Sequence, residues 1–278
     1  MPYGGQEQQL RGWSKKKLEY LRSYIVAYCK ATTKSLKRFY IDGFAGPGKL
    51  PDEDSGEMVD GSPLIALKAE PRFTLCHFVE KDKATCEKLR NNTRGYDNAR
   101  IWEGDCNEWI PIILQTISRA SPTLAVLDPT GVIGQVKWAT IRTIAQWKTE
   151  IILNLPYHMA VRRLLPNDPS LLSPDRATQL GEYLPPGWQA VYYDTARGRR
   201  NLLCRKLLEL YRDQLKSLGY TDVFASAVFR TEHNLPLYYL IWAGRHPVGV
   251  RIARHVFLEQ FDPRVRLLDV DDDEWLAF

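Results

Sequence analysis

Five short, largely apolar runs in this chain each lead into a carboxylate or a side-chain amide. Asp42 follows Phe39-Tyr40-Ile41, Glu80 follows Phe78-Val79, and Asp105 follows Ile101-Trp102-Glu103-Gly104. Asp128 follows Leu124-Ala125-Val126-Leu127, and Asn154 follows Ile151-Ile152-Leu153. Strands that read as continuous apolar runs are covered on both faces, which is the mark of a parallel sheet with helices above and below. In such a sheet the strand ends share one edge, and ligands lie there. Directly after Asp42 the first run breaks into Gly43-Phe44-Ala45-Gly46-Pro47-Gly48. Glycines supply the positive φ of a tight turn and leave bare backbone for a ligand to lie against. Alone, they are equally a structural strand–loop turn. Their spacing, Gly43-x-x-Gly46-x-Gly48, is not the G-x-G-x-x-G of dinucleotide binding.

With 278 residues, 44% hydrophobic and 26% charged, the chain suits one large α/β domain with insertions, or two small domains. A net charge of +5 and a pI near 8.9 permit a polyanionic partner without requiring one. Five cysteines (Cys29, Cys76, Cys86, Cys106, Cys204) are scattered without a C-x-x-C pair. That pattern argues against a zinc site or a disulfide framework, so no metal is expected and a reducing cytoplasm is the simple reading. No signal-peptide pattern opens the chain, and no apolar run approaches membrane-spanning length. A cytoplasmic protein with no membrane attachment is expected.

Residues 1–12 read as a flexible tail. Ser14 is placed to cap a helix carrying Leu18, Leu21, Tyr24, Ile25 and Tyr28 at helical spacing. Lys15-Lys16-Lys17 opens that helix against the usual preference for acids there. Those lysines form a solvated face, or one of them lines the ligand cleft. Residues 49–61 are acidic and aperiodic, a loop placed to act as a flap or else a tolerated surface insertion. Ser62 is expected to cap the next helix, with Pro63 in its first turn. Residues 166–200 are interrupted by prolines and read as an inserted lid or substrate-recognition segment. It ends basic at Arg197, Arg199 and Arg200, near Tyr192 and Tyr193. Such arginines contact a phosphate backbone, or they form a solvated helix start. Residues 13–165 and 201–262 make up the main domain, which closes with an antiparallel hairpin and a last helix. Residues 263–278 form an acidic tail.

An acid closing the second strand of a nucleotide-binding sheet accepts hydrogen bonds from ribose hydroxyls. Glu80 stands 32 residues after Gly48, an excess over the usual spacing that matches the insertion at 49–61. A plain surface glutamate is the alternative. The run Asp42-Gly43-Phe44-Ala45-Gly46-x-Gly48 resembles the first motif of class I S-adenosylmethionine (SAM) methyltransferases, in the form common among amino-group-methylating enzymes. The resemblance implies that Asp42, Gly43, Phe44, Ala45, Gly46 and Gly48 hold the methionine end of the donor, and Glu80 with Lys81 the ribose. Gly104-Asp105-Cys106 resembles the element that holds adenine in SAM enzymes. Asp105 would accept from the exocyclic amine and the Cys106 backbone would bond the ring; helix capping by Asp105 or Asn107 is the other reading.

Asp128-Pro129 stands where class I methyltransferases meet the methyl acceptor. Thr130-Gly131 replace the second proline and the aromatic of the amino-methylating version, so no ring follows on which a flipped-out base would stack. Trp138 is either a substitute or a buried core residue. Asn154-Leu155-Pro156-Tyr157 is identical to the catalytic tetrapeptide of rRNA dimethyladenosine methyltransferases, but one strand later. It puts Asn154 and Tyr157 at the rim of the same cleft.

Taken in order, several segments resemble the three-Cys-motif partner protein family over about residues 13–260. They are W-S-K-K-K-L at 13–18, the run Ile41 to Gly48, Gly61-Ser62-Pro63-Leu64, Phe78-Val79-Glu80-Lys81-Asp82 and Gly104-Asp105-Cys106-Asn107. Leu127-Asp128-Pro129-Thr130-Gly131, Leu153-Asn154-Leu155-Pro156, Tyr238-Tyr239-Leu240-Ile241 and His246-Pro247 complete the series. The resemblance implies a SAM-methyltransferase-like domain working with a three-Cys-motif partner protein, and implies no substrate. The expected fold is α/β: a Rossmann-like class I methyltransferase sheet, mostly parallel, with a C-terminal antiparallel hairpin and an inserted helical segment. The expected function is SAM-dependent methyl transfer to an amino group of a base in RNA or DNA, adenine N6-like. Asp128, Pro129, Asn154 and Tyr157 are its expected catalytic residues. The rivals are a methyltransferase of a small molecule, peptide or protein, and a SAM-binding subunit that transfers nothing. A dehydrogenase is disfavoured by the glycine order.

Overall fold

The structure, a computed structural model, describes residues 12–129, 135–195, 200–226, 229–230, 233 and 236–260. The tails expected at 1–12 and 263–278, except Gly12, lie outside the described residues, as do Thr130, Gly131, Arg197 and Arg199.

In chain order the strands are β1 (Phe39–Asp42), β2 (Lys49–Pro51), β3 (Met58–Asp60), β4 (Leu75–Glu80) and β5 (Ala99–Glu103). There follow β6 (Thr123–Leu127), β7 (Thr149–Leu155), β8 (Asp222–Ala225), β9 (Phe229–Arg230) and β10 (Pro236–Gly244). The helices are α1 (Gly12–Ala31), α2 (Ser62–Leu67), α3 (Lys83–Thr93), α4 (Cys106–Gln115) and α5 (Trp138–Ile144). After them come α6 (Arg162–Leu164), α7 (Pro174–Tyr183), α8 (Trp188–Thr195), α9 (Arg200–Ser217) and α10 (Pro247–Arg254).

The main sheet runs β5-β4-β1-β6-β7-β10-β8, with β9 beside β10. Its first five strands pair in parallel, while β10 is antiparallel to β7, β8 and β9. This is the Rossmann-like sheet expected from the sequence, mostly parallel and finished by antiparallel strands. The apolar runs form it because their alternate residues feed two separate cores. Phe39, Ile41, Ala125, Leu127, Ile151 and Leu153 bury against residues of α4, α5 and α9. Tyr40, Phe78, Leu124, Val126 and Ile152 bury with residues of α1, α2 and α10 on the other face.

The register positions the functional edge. Asp42 lies opposite Phe78 of β4 and Val126 of β6, and Val126 lies opposite Ile152 of β7. Glu80, Asp128 and Asn154 each come two residues further along, so the two-residue alternation returns all of them to the face that carries Asp42.

Three local expectations are corrected. Residues 49–61 contain the β2–β3 hairpin, because Asp52 builds its turn: Asp52 Oδ1 accepts from Asp54 N at 2.8 Å and Ser55 N at 3.0 Å. Strands of three residues carry no readable period. Gly61, not Ser62, is the N-cap of α2 and has no side chain to cap with, while the Ser62 hydroxyl is turned to Asp42. Ser14 lies inside α1 rather than ahead of it. Among the described residues no helix is long and apolar enough to cross a membrane.

Candidate functional site

The glycine turn is held on every side. Gly43 N donates to Val126 O at 2.9 Å and Ala45 N to Val79 O at 3.0 Å, tying the turn to both neighbouring strands. Asn92 Nδ2 donates to Pro47 O at 2.8 Å, and Gly61 N to Gly48 O at 2.8 Å. Gly46 has φ +63°, and a Cβ on it would stand in open space. The turn therefore presents bare backbone outward, as a ligand cradle requires. Gly43 is a glycine for another reason: a Cβ there would lie 3.0 Å from Leu127 Cδ2.

Asp42 is fully enclosed. Its Oδ1 accepts from Phe44 N at 3.1 Å and its Oδ2 from the Tyr40 hydroxyl at 3.3 Å. Burial pushes its carboxyl up to about 6, against the bonds from Ser62 and Phe44 and with help from the Asp128 charge. An acid so enclosed acts by shaping the turn and has no open face for a ligand. Glu80 is half-buried and reaches the turn directly, Oε2 accepting from Gly46 N at 2.9 Å and Oε1 from Asp82 N at 2.8 Å.

Asp105 is the N-cap of α4, with Oδ1 accepting from Asn107 N at 2.9 Å. Its Oδ2 pairs with Lys81 Nζ at 3.0 Å, which joins two residues expected at the donor. The bonds from Asn107 and Lys81 outweigh burial and hold its carboxyl below the ordinary value. The Cys106 thiol points inward to Gln135 O at 3.3 Å, and burial pushes it up to about 12. Its backbone is what it can offer to a ligand. Asn107, which the sequence marks only as a cap, links this element to the far side of the site. It donates to Gln135 O at 2.8 Å, and its Oδ1 accepts from Lys137 N at 2.8 Å and Thr140 Oγ1 at 2.7 Å.

At the ends of β6 and β7, Asn154 Nδ2 donates to Asp128 Oδ1 at 2.8 Å. Asp128 Oδ2 is paired with Lys17 Nζ of α1, which also lies 5.5 Å from the centroid of the Tyr238 ring. Lys17 is thus the lysine of the opening run that enters the cleft. The carboxylate fixes which end of the Asn154 amide is which, because only the NH2 can face it. Among the described residues Asn154 Oδ1 is buried with no partner.

Two clefts flank this cluster. One, of about 370 Å³, lies under α1 between Lys17, Leu18, Leu21, Ser62, Asp128, Asn154 and Phe257. The other, of about 440 Å³, lies between Pro129, Gln135, Asn154, Pro156, Tyr183, Leu184 and Tyr211. Asn154 lines both. Residues Tyr183 and Leu184 come from the segment between β7 and α9, which also carries α7 and α8. Tyr157 lines neither cleft: it is buried in the core against the His158 ring, 4.9 Å between centroids. Trp138 is likewise core, edge-on to Tyr211 at 5.8 Å, and offers no stacking face at the cleft. Arg200 opens α9.

The structure thus joins Glu80 to the glycine turn, Lys81 to Asp105, and Asp128 to Asn154. It does not bring Tyr157 to them. Ser62 and Lys17 complete the site. A serine beside a helix start reads first as a cap, and a lysine in a run of three reads first as solvated.

No protein-family model matches the sequence, and no curated protein matches it either. Solved structures do resemble it in fold. Protein LPL1258 from Legionella pneumophila is 10% identical, with 86% of this chain and 92% of that chain covered and a TM-score of 0.49. Human methyltransferase-like protein 13 in complex with SAH is 14% identical, with 95% and 97% covered and a TM-score of 0.42. TYW2 from M. jannaschii, in complex with AdoMet, is 10% identical, with 87% and 83% covered and a TM-score of 0.38.

Proposed function

We propose that this chain is a class I SAM-dependent methyltransferase whose acceptor is an amino group. Bound SAM supplies an electrophilic methyl on a sulfonium, and the chain has to align a nucleophile with it and exclude water. The residues at the sheet edge fit that donor. Gly46 leaves the turn open, and each Glu80 oxygen keeps a lone pair beyond its backbone bond for the ribose hydroxyls. Asp105, held ionised by Lys81 and Asn107, suits the adenine amino group, and the Cys106 backbone the ring.

One observation carries the acceptor assignment: the Asn154 Oδ1 acceptor that Asp128 has oriented and that none of the described residues satisfies. A buried acceptor left unmade costs about 1–3 kcal/mol. An amino group donating one N–H to that oxygen removes the cost and has its nitrogen lone pair steered by the same bond. Asp128 is then the positioning group and Asn154 the residue that touches substrate, with Pro129 walling the second cleft. An amino group on a base of RNA or DNA is the acceptor preferred here, on the Asp128-Pro129 pair and the arginines Arg197, Arg199 and Arg200. The motif order shared with the three-Cys-motif partner family supports a partner protein in the same role.

A second reading, a small neutral acceptor, is favoured by the second cleft, since none of the described residues that line it is charged. Tritiated-methyl SAM incubated with RNA, DNA, protein and small-molecule fractions separates the readings. Label in RNA or DNA is the expected result, and label in the small-molecule fraction alone selects the second reading. Label in none overturns catalysis by this chain.

A further inference from the structure

A π-helical turn, Tyr157–Val161, follows β7 and leads directly into α6. Wide turns of this kind recur at functional sites. Tyr157 and Val161, four positions apart, are both buried, and Val161 also lines the second cleft. His158 and Arg162 keep the same spacing one position on, so they share the neighbouring face of the turn. The His158 ring is clamped between two others, edge-on to Tyr157 at 4.9 Å and 6.0 Å from Tyr239 of β10. So held, its Nδ1 is buried and has no partner among the described residues. Burial first, and then the charges of Arg162 and Arg230, push the ring down to about 4, so it is neutral near pH 7. A neutral imidazole with its proton on Nδ1 is a donor that lacks an acceptor there. Arg230 comes from β9, which pairs with β10. Arg162 is exposed, and no carboxylate among the described residues pairs with it. Two like charges and an unmade N–H brought together in this way are relieved by an anion.

We propose that His158, Arg162 and Arg230 form a phosphate subsite at the rim of the second cleft, taking the phosphate of a nucleotide whose base lies inside the cleft. The described residues that line the cleft are uncharged, which suits a base. The positive cluster stands within one helical turn of Val161, a rise of about 5 Å. A nucleotide carries its phosphate one sugar away from its base, and cleft and cluster stand in that order. A free nucleotide and a single strand of RNA or DNA share this chemistry. The placement of the base rests on the methyltransferase reading, and the phosphate subsite does not.

Titrations of adenosine, 5′-AMP and a fluorescein-labelled oligoadenylate test this, with S-adenosylhomocysteine (SAH) present to fill the donor site. The expected result is that 5′-AMP binds about tenfold or more tightly than adenosine. Arg162→Gln should erase most of that preference. It should also lower the slope of log affinity against log salt for the oligonucleotide by about 0.7, the share of one phosphate contact on a single strand. Arg162 is exposed, so the thermal midpoint of this variant should match the wild type. His158→Phe keeps a ring between Tyr157 and Tyr239 but removes the donor, and should weaken 5′-AMP about threefold or more with adenosine unchanged. Lys30→Gln, in the last turn of α1, removes the same charge as Arg162→Gln and should change neither preference nor slope. Preference for 5′-AMP without oligonucleotide binding assigns the subsite to free nucleotides. A slope change without that preference assigns it to phosphates within a strand. Equal affinity for 5′-AMP and adenosine with an unchanged slope in Arg162→Gln, or the same slope loss in Lys30→Gln, overturns the proposal. No methyl is transferred in these titrations, so that failure leaves the methyltransferase reading intact. Phosphate binding by a chain that labels no acceptor leaves the subsite standing while that reading falls.

Discussion

Asn154 and Asp128 sit side by side at the ends of β7 and β6, joined by a 2.8 Å hydrogen bond from Nδ2 to Oδ1. That bond turns the amide so that its oxygen is the acceptor left without a partner among the described residues. Replacing Asn154 with Ala removes the acceptor but no part of the glycine turn. Methyl transfer should fall by about a hundredfold, the scale of one lost site hydrogen bond, while SAH affinity is unchanged. Equal loss of both would place Asn154 at the donor instead.

Gly104 joins β5 to the Asp105 cap with φ +143°, and its amide donates to Glu80 O at 2.9 Å. A Cβ there would lie 2.6 Å from Trp109 Nε1, which donates to Glu103 O at 2.9 Å. Backbone strain and overpacking together should make Gly104→Ala about 2–4 kcal/mol less stable in a denaturant titration. A midpoint equal to that of the wild type would mean that this corner yields freely.

Glu150 on β7 accepts from the Tyr24 hydroxyl, which itself accepts from Trp242 Nε1 at 2.8 Å. Burial pushes the Glu150 carboxyl up from 4.5 to about 7, opposed by the Tyr24 bond. The folded chain then keeps a proton that the unfolded chain releases. This contribution is intact below the unfolded value of 4.5 and is lost as pH rises through about 7. Glu150→Gln keeps an acceptor for Tyr24 and removes the ionisation. Its stability relative to wild type should improve by about 1–3 kcal/mol between roughly pH 5 and pH 8, followed by chemical denaturation. Asp42 titrates in both proteins, so the difference isolates Glu150. Parallel pH profiles would contradict the assignment.

The sheet was legible because its strands are short apolar runs ending on acids, and parallel pairing turns that pattern into one shared rim. Glu80 and Asp105 could be placed for the same reason. What the sequence hid depends on contacts between distant segments. The ion pair between Lys17 and Asp128 joins residues 111 positions apart, and nothing in Lys15-Lys16-Lys17 singles out the third lysine. Asp42 reads as a ligand residue until Tyr40, Phe44 and Ser62 are seen to enclose it. Tyr157 reads as catalytic from its tetrapeptide, but the chain turns it into the core directly after β7. The β2–β3 hairpin is stabilised by one aspartate side chain and too short to leave a pattern.

The Gly46 amide to Glu80 carboxylate bond, 2.9 Å long, is where the glycine turn meets the second strand, and a nucleoside donor would have to engage both. Calorimetric titration of SAH into the wild type and into Glu80→Ala therefore tests the central claim most directly. The account predicts a single site in the wild type and a loss of about tenfold or more in the variant. No heat of binding in the wild type, or equal affinity in the two proteins, would contradict it.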